Sequence, residues 1–243
     1  LRDINKLNDA EISIRKAIKL NPNSAIYHND LGTILRDIGK LKESEISILR
    51  AIELKSDFVN ALVNLGDTAI FLGKLNEVIS LSKYILKLKS VNSGAEFVAM
   101  SKIVLSNLIK GNISETFSSI NNINIFIDKE GDELSKKGLM DNQALGYCRF
   151  ISQLYPQLEK FNNINFNQTI PHIGESHCLS FTRQSINISS KIKYIQPVLI
   201  AGAKAWHFAN NDNNKWKASL NQQIKNYKYS DEVFISFGEI DCR

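Results

Sequence analysis

Apolar residues recur at helical spacing through the N-terminal part of the chain, then give way to short apolar runs separated by turn-prone residues. The helical pattern also repeats on itself. At an offset of 34, Lys6-Leu7 falls on Lys40-Leu41 and Lys74-Leu75, and Leu20 falls on Leu54 and Leu88. In the same register Ala17 falls on Ala51 and Ile85, Leu31-Gly32 on Leu65-Gly66, and Gly39 on Gly73. A period of that size marks helix pairs stacked into a solenoid. Gly32 and Gly66 belong inside the first helix of each pair, where the lack of a side chain lets the two helices approach closely. Gly39 and Gly73 belong at its end, where a residue without Cβ takes the left-handed conformation that stops a helix. The first unit begins at its second helix. From Ser93 to about Asn122 the register fades, although Phe97, Met100, Ile103, Val104, Leu105 and Leu108 keep helical spacing. A further helical stretch, from about Glu133 to Leu158, carries Leu139, Leu145, Phe150, Ile151 and Leu154 and is expected to cap the array. Residues 1–160 are thus read as a helical solenoid, the Asn-rich residues 161–169 as a linker, and residues 170–243 as a second domain.

The repeating positions resemble the tetratricopeptide pattern, with Leu-Gly in the first helix, a small residue in the second and a closing proline. Departures occur at His28 and Leu62, where the pattern prefers Trp, and at Ser44 and Val78, where it prefers Ala. Pro22 keeps the closing proline, and Ser56 and Ser90 replace it. The resemblance implies that a concave surface binds a protein or peptide.

After the linker the period changes. Ile170–Ile173, Tyr194–Ala201 and Val233–Phe237 read as strands, and a helix between Trp206 and Tyr227 places Trp216, Leu220 and Ile224 on one face. Strands alternating with helices predict a parallel α/β sheet, whose ligands bind beyond the carboxyl ends of the strands. Those ends carry Gly174-Glu175-Ser176-His177, Ala201-Gly202-Ala203-Lys204 and Gly238-Glu239-Ile240-Asp241. In order and spacing they resemble the SGNH, or GDSL-like, hydrolases, whose sheet is flavodoxin-like and whose first motif is Gly-Asp-Ser. The resemblance implies that Ser176 is the nucleophile of acyl-ester chemistry. It also implies that Gly202, Gly238, Glu239 and Asp241 bind the oxyanion or substrate, and that Glu175, His177 and Arg243 line the site. Ile240 stands at the family's oxyanion asparagine, and such a donor contributes about 2.7–4 kcal/mol where it is used. No Asp-x-x-His follows, so the chain reads as a fragment, inactive alone.

Apart from the family, a serine at a strand-to-helix turn has its N–H where a helix gathers partial positive charge, which suits an oxyanion. Serine is equally a favoured N-cap, and both roles remain open for Ser176. Adjacent His177 and Cys178 need not face one another on a helix, and Cys178 reads as a small buried residue. His28 and His207 read as structural, and Asp241 has a turn-capping alternative.

Composition narrows the partners. The formal charge of +5 is spread without a basic run, so no nucleic-acid partner is indicated, and no apolar run is long enough for a membrane helix. Cys148, Cys178 and Cys242 are too scattered for a disulfide framework or a zinc site, which points to a reducing cytoplasm and to no metal or cofactor. Two functions lead: a docking arm joined to an esterase or acyltransferase acting on an acylated glycan or small ester, and a non-catalytic scaffold. A glycan-modifying transferase of another type is a third.

Overall fold

The computed structural model describes residues 4–89, 91–158, 169–175, 178–179, 182, 184–188, 191–203, 206–209, 212–226 and 233–236. Two compact units emerge, Leu1–Val91 with Ala205–Asn226, and Asn92–Lys204 with Tyr227–Arg243.

The first unit holds α1 (Ile4–Leu20), α2 (Ala25–Asp37), α3 (Leu41–Leu54), α4 (Val59–Phe71) and α5 (Leu75–Ile85), joined by α9 (Trp206–Ala209) and α10 (Lys215–Asn226). From α1 to α5 each helix packs on the next, and α2 also packs on α4. Ser24 begins α2 by accepting a hydrogen bond from the Tyr27 N–H at 3.3 Å. Gly39 ends it at φ +87°, with the Lys40 N–H reaching back to the Leu35 carbonyl at 2.8 Å. Gly73 repeats the device at φ +74°, with the Lys74 N–H on the Ala69 carbonyl at 2.9 Å. Within the α2–α3 pair, a Cβ on Gly32 would lie 2.3 Å from Ile48 Cγ1 and 3.2 Å from the Ser44 carbonyl. Ser44 departs from the repeat pattern without cost, because its buried hydroxyl lies 3.2 Å from Thr68 Oγ1, which itself donates to the Asn64 carbonyl. Ile48, Ala51, Ala61 and Leu65 form the core between the pairs.

The second unit begins with α6 (Ser93–Lys110), α7 (Ile113–Lys136) and α8 (Asn142–Leu158). Residues Ser101 to Ile109 of α6 are all buried, and the helix packs on α7 and α8 and on a strand. A helix enclosed on every side loses the one-faced stripe of a repeat, which explains the fading register. The helix expected from Glu133 is in fact two. Gly138, at φ +64°, stops α7, and Leu139, expected in the apolar stripe, lies in the turn at 47% exposure. Asp141 then caps α8 through the Ala144 N–H at 2.9 Å.

The sheet contains β1 (Thr169–Gly174), β2 (Ser185–Ile188), β3 (Lys191–Leu199) and β4 (Phe234–Ser236) in the order β2-β3-β1-β4. β1 pairs in parallel with β3 and β4, whereas β2 pairs antiparallel with β3, so the sheet is mixed rather than wholly parallel. Ser185-Ile186-Asn187-Ile188 gave no strand expectation because its alternation spans only four residues and includes polar Asn and Ser. Pairing with it also draws β3 back to Lys191, three residues before the expected start at Tyr194. Among the described residues no helix is long and apolar enough to cross a membrane.

Gly32→Ala should destabilise the chain by about 1–3 kcal/mol in urea unfolding, with partial recovery in the Gly32→Ala/Ile48→Ala pair. A neutral Gly32→Ala would contradict the close approach. Gly39→Ala combines a left-handed backbone with a contact of 2.8 Å to the Asn214 carbonyl, and should cost at least about 1–2 kcal/mol in the same assay.

Candidate functional site

The repeat unit presents two polar and apolar surfaces. Where α2 meets α4, Asn64 Nδ2 donates to Asn29 Oδ1 at 2.9 Å, and Arg36 lies 3.6 Å from the Asp67 carboxylate. Between α1 and α3, floored by α2, lies a cleft of about 500 Å³ lined by Leu31, Leu35, Ile46, Leu49, Arg15 and Arg50, among others. Ile46 and Leu49 reach solvent at 68% and 43% exposure. Arg15 and Arg50 are engaged at the rim by Glu43 at 3.4 Å and by Glu53 at 3.0 Å. An apolar floor inside a charge-balanced rim suits a segment that buries aliphatic side chains.

Residues 25–58 match the tetratricopeptide repeat family. The match spans α2, the Gly39 turn and α3, the pair whose close approach depends on Gly32. Tetratricopeptide repeats stack into extended surfaces used for binding proteins. No curated protein matches the chain. His28 within the tetratricopeptide pair is structural: its ring N–H donates to the Pro22 carbonyl at 2.9 Å, and its own carbonyl accepts from Ser47 Oγ at 2.8 Å.

The second candidate is the carboxyl edge of the sheet. Since β3 and β4 both run parallel to β1, the chain leaves all three strands at the same edge, after Gly174, Leu199 and Ser236. Gly174 is fixed there by close approach. A Cβ on it would lie 2.7 Å from the Ser236 carbonyl, 2.8 Å from Ser236 Oγ and 3.1 Å from Cys178 Cβ. Its carbonyl accepts from the Ile200 N–H at 2.7 Å, which ties the β1 and β3 ends together. Gly202 forms the turn after β3 at φ +68°. Glu175 is buried at 8% exposure, and its carbonyl accepts from the Cys178 N–H at 3.0 Å. The remaining expected site residues, Ser176, His177, Gly238, Glu239, Asp241 and Arg243, lie outside the described residues, as does Ile240. Among the described residues no three His, Cys, Asp or Glu side chains gather as metal ligands.

Three side chains near this edge had no sequence expectation. Tyr147, on α8, lies within electrostatic range of Glu175 and Cys178, and burial pushes its hydroxyl up to about 12. His172 Nε2 lies 2.7 Å from Ser236 Oγ across the β1–β4 pair. That is the distance between a nucleophile and its base. However, His172 is mid-strand and 6% exposed, and burial holds its pKa below the usual range, so we assign the pair to holding β4 on β1. Its only sequence signal was a polar residue inside each apolar strand.

Cys178 is fully buried, and burial pushes its thiol up to about 12, so it packs as an apolar residue. His207 also serves packing, with its ring stacked on Trp216 at a centroid distance of 3.4 Å.

Burial raises Cys148 to about 11 and Cys178 to about 12 from 9.0, and Tyr147 to about 12 from 10.0. A raised folded-state pKa means the native state holds the proton longer, so this stability is full below the ordinary values and lost as pH rises past them. Urea unfolding between about pH 8 and about pH 10.5 should show stability falling by up to about 1.4 kcal/mol per pH unit for each group. Cys178→Ala should flatten the slope. A level profile in the wild type would contradict the burial of these groups.

Proposed function

We propose that this protein docks a protein or peptide partner on its repeat unit. The observation that carries this reading is the tetratricopeptide match over α2 and α3, with Gly32 and Ile48 in close approach at its centre. The seat is the cleft between α1 and α3, and its occupant is a segment that places aliphatic side chains on Leu31, Leu35, Ile46 and Leu49. Ile46→Asp and Leu49→Asp each put a charge where apolar burial is expected, and both positions are exposed enough to leave the fold intact. Partners retained on the immobilised wild-type chain should bind each variant at least about tenfold more weakly, with unchanged thermal unfolding. Undiminished binding would overturn the cleft as the seat.

A second reading is favoured by the common edge at which β1, β3 and β4 end. Residues 170–243 then belong to an SGNH-like α/β domain that hydrolyses or transfers an acyl ester, on a glycan or a small ester, with Ser176 as nucleophile. Gly174, Glu175 and Gly202 stand at that edge and support the reading by position. Against it, the third motif carries Ile240, which offers no side-chain donor where the family has its oxyanion asparagine. The alternative keeps the sheet as a non-catalytic part of a docking protein. A fluorophosphonate probe on the natural full-length protein separates the two: an activated Ser176 should be labelled covalently in the wild type and not in Ser176→Ala. Equal absence of labelling in both would leave docking alone.

A further inference from the structure

The repeat register makes Asp37-Ile38-Gly39 and Phe71-Leu72-Gly73 equivalent segments, each at the end of the first helix of a pair. α10 touches both. At its N-terminal end Lys215 Nζ lies 2.9 Å from Asp37 Oδ1, and a Cβ on Gly39 would lie 2.8 Å from the Asn214 carbonyl oxygen and 3.4 Å from Ala218 Cβ. Further along, Ser219 Oγ donates to the Phe71 carbonyl at 2.9 Å and Asn226 Nδ2 to the Leu72 carbonyl at 3.1 Å. A Cβ on Gly73 would lie 2.6 Å from Gln223 Oε1. Trp216 and Ala218 fill the space between, against Leu41, Phe71 and Leu72.

These contacts have a specific chemistry. Helices end with carbonyls that lack an intrahelical partner, and the end carries partial negative charge. α10 supplies hydroxyl and amide donors to the carbonyls of the second pair and a lysine cation at the end of the first. It is held rigid in turn, because Asn214 caps it through the Lys217 N–H at 3.0 Å and also donates to the His207 carbonyl at 2.9 Å.

We infer that α10 is a strut that fixes the pitch between two consecutive helix pairs. Solenoid pairs contact only their neighbours, and the curvature of the array follows from a small rotation per repeat. A rigid helix bonded to equivalent points on both pairs removes that freedom. From Lys215 to Asn226 its length is about 16 Å at about 1.5 Å per residue, enough to span adjacent repeats. The chain brings this strut from between β3 and β4, passing from the second unit into the first and back. The spacing of the α2–α3 pair from the α4–α5 pair therefore depends on α10, and a partner that requires another pitch must release it.

The test uses the full chain with Cys242→Ser and spin labels on Glu53→Cys and Lys87→Cys, at exposed positions of α3 and just beyond α5. Ser219→Glu places a charge at a fully buried position and removes the bond to Phe71. Hydrogen exchange should show the α10 amides losing protection by at least about tenfold while α2–α5 stay protected. Pulsed dipolar spectroscopy should then show the inter-label distance distribution broadening relative to wild type. If Ser219→Glu unfolds the unit, Lys215→Ala/Ser219→Ala removes the ion pair and the hydrogen bond, and the same distribution is read. An unchanged distribution once α10 is released overturns the strut. So does an α10 that stays protected in both variants, because the contacts named here would then not hold it.

Discussion

Two glycines in the left-handed conformation, thirty-four residues apart, set the geometry from which the rest of the first unit follows. Each lies two residues past the end of the first helix of a pair and turns the chain so that Lys-Leu opens the second. Each also leaves its backbone bare, so that α10 can approach where a side chain would collide. The same residue type thus performs two tasks that only the absence of Cβ reconciles. Gly32 adds a third use of that absence, inside a helix, where it sets how closely α2 lies on α3.

The repeat was legible because its signals are local and recur in phase. Leu31-Gly32, Gly39 and Lys40-Leu41 occupy the places their chemistry predicts. Leu20, which shares its register with Leu54 and Leu88, is nonetheless 89% exposed, so recurrence marked position in the repeat and not burial. The break at Gly138 was missed because apolar residues on either side continued a helical spacing across it. β2 was missed because a short edge strand with one exposed face carries little hydrophobic signal.

The face by which α10 docks was illegible for a different reason. Trp216, Leu220 and Ile224 were expected to share one face, yet the fully buried position is Ser219, with Gln223 close behind and Leu220 and Ile224 only half-buried. Hydrophobic periodicity cannot foresee a helix seated on the unpaired carbonyls of other helices, because such a seat selects donors rather than hydrocarbon. His172 and Ser236 follow the same logic within the sheet. Two strand-end glycines owe their place to different constraints: Gly202 needs a positive φ, and Gly174 needs room.

The central claim is that equivalent turns of two consecutive repeats share one bridging helix. Nuclear Overhauser effects in the full chain, between the Ala218 methyl and the Gly39 α-protons and between the Gln223 side-chain amide and the Gly73 α-protons, test it most directly. Both cross-peaks together are expected, since α10 packs against the two glycines at once. A spectrum with either one missing, while the signals of α2–α5 remain dispersed, would contradict the bridge.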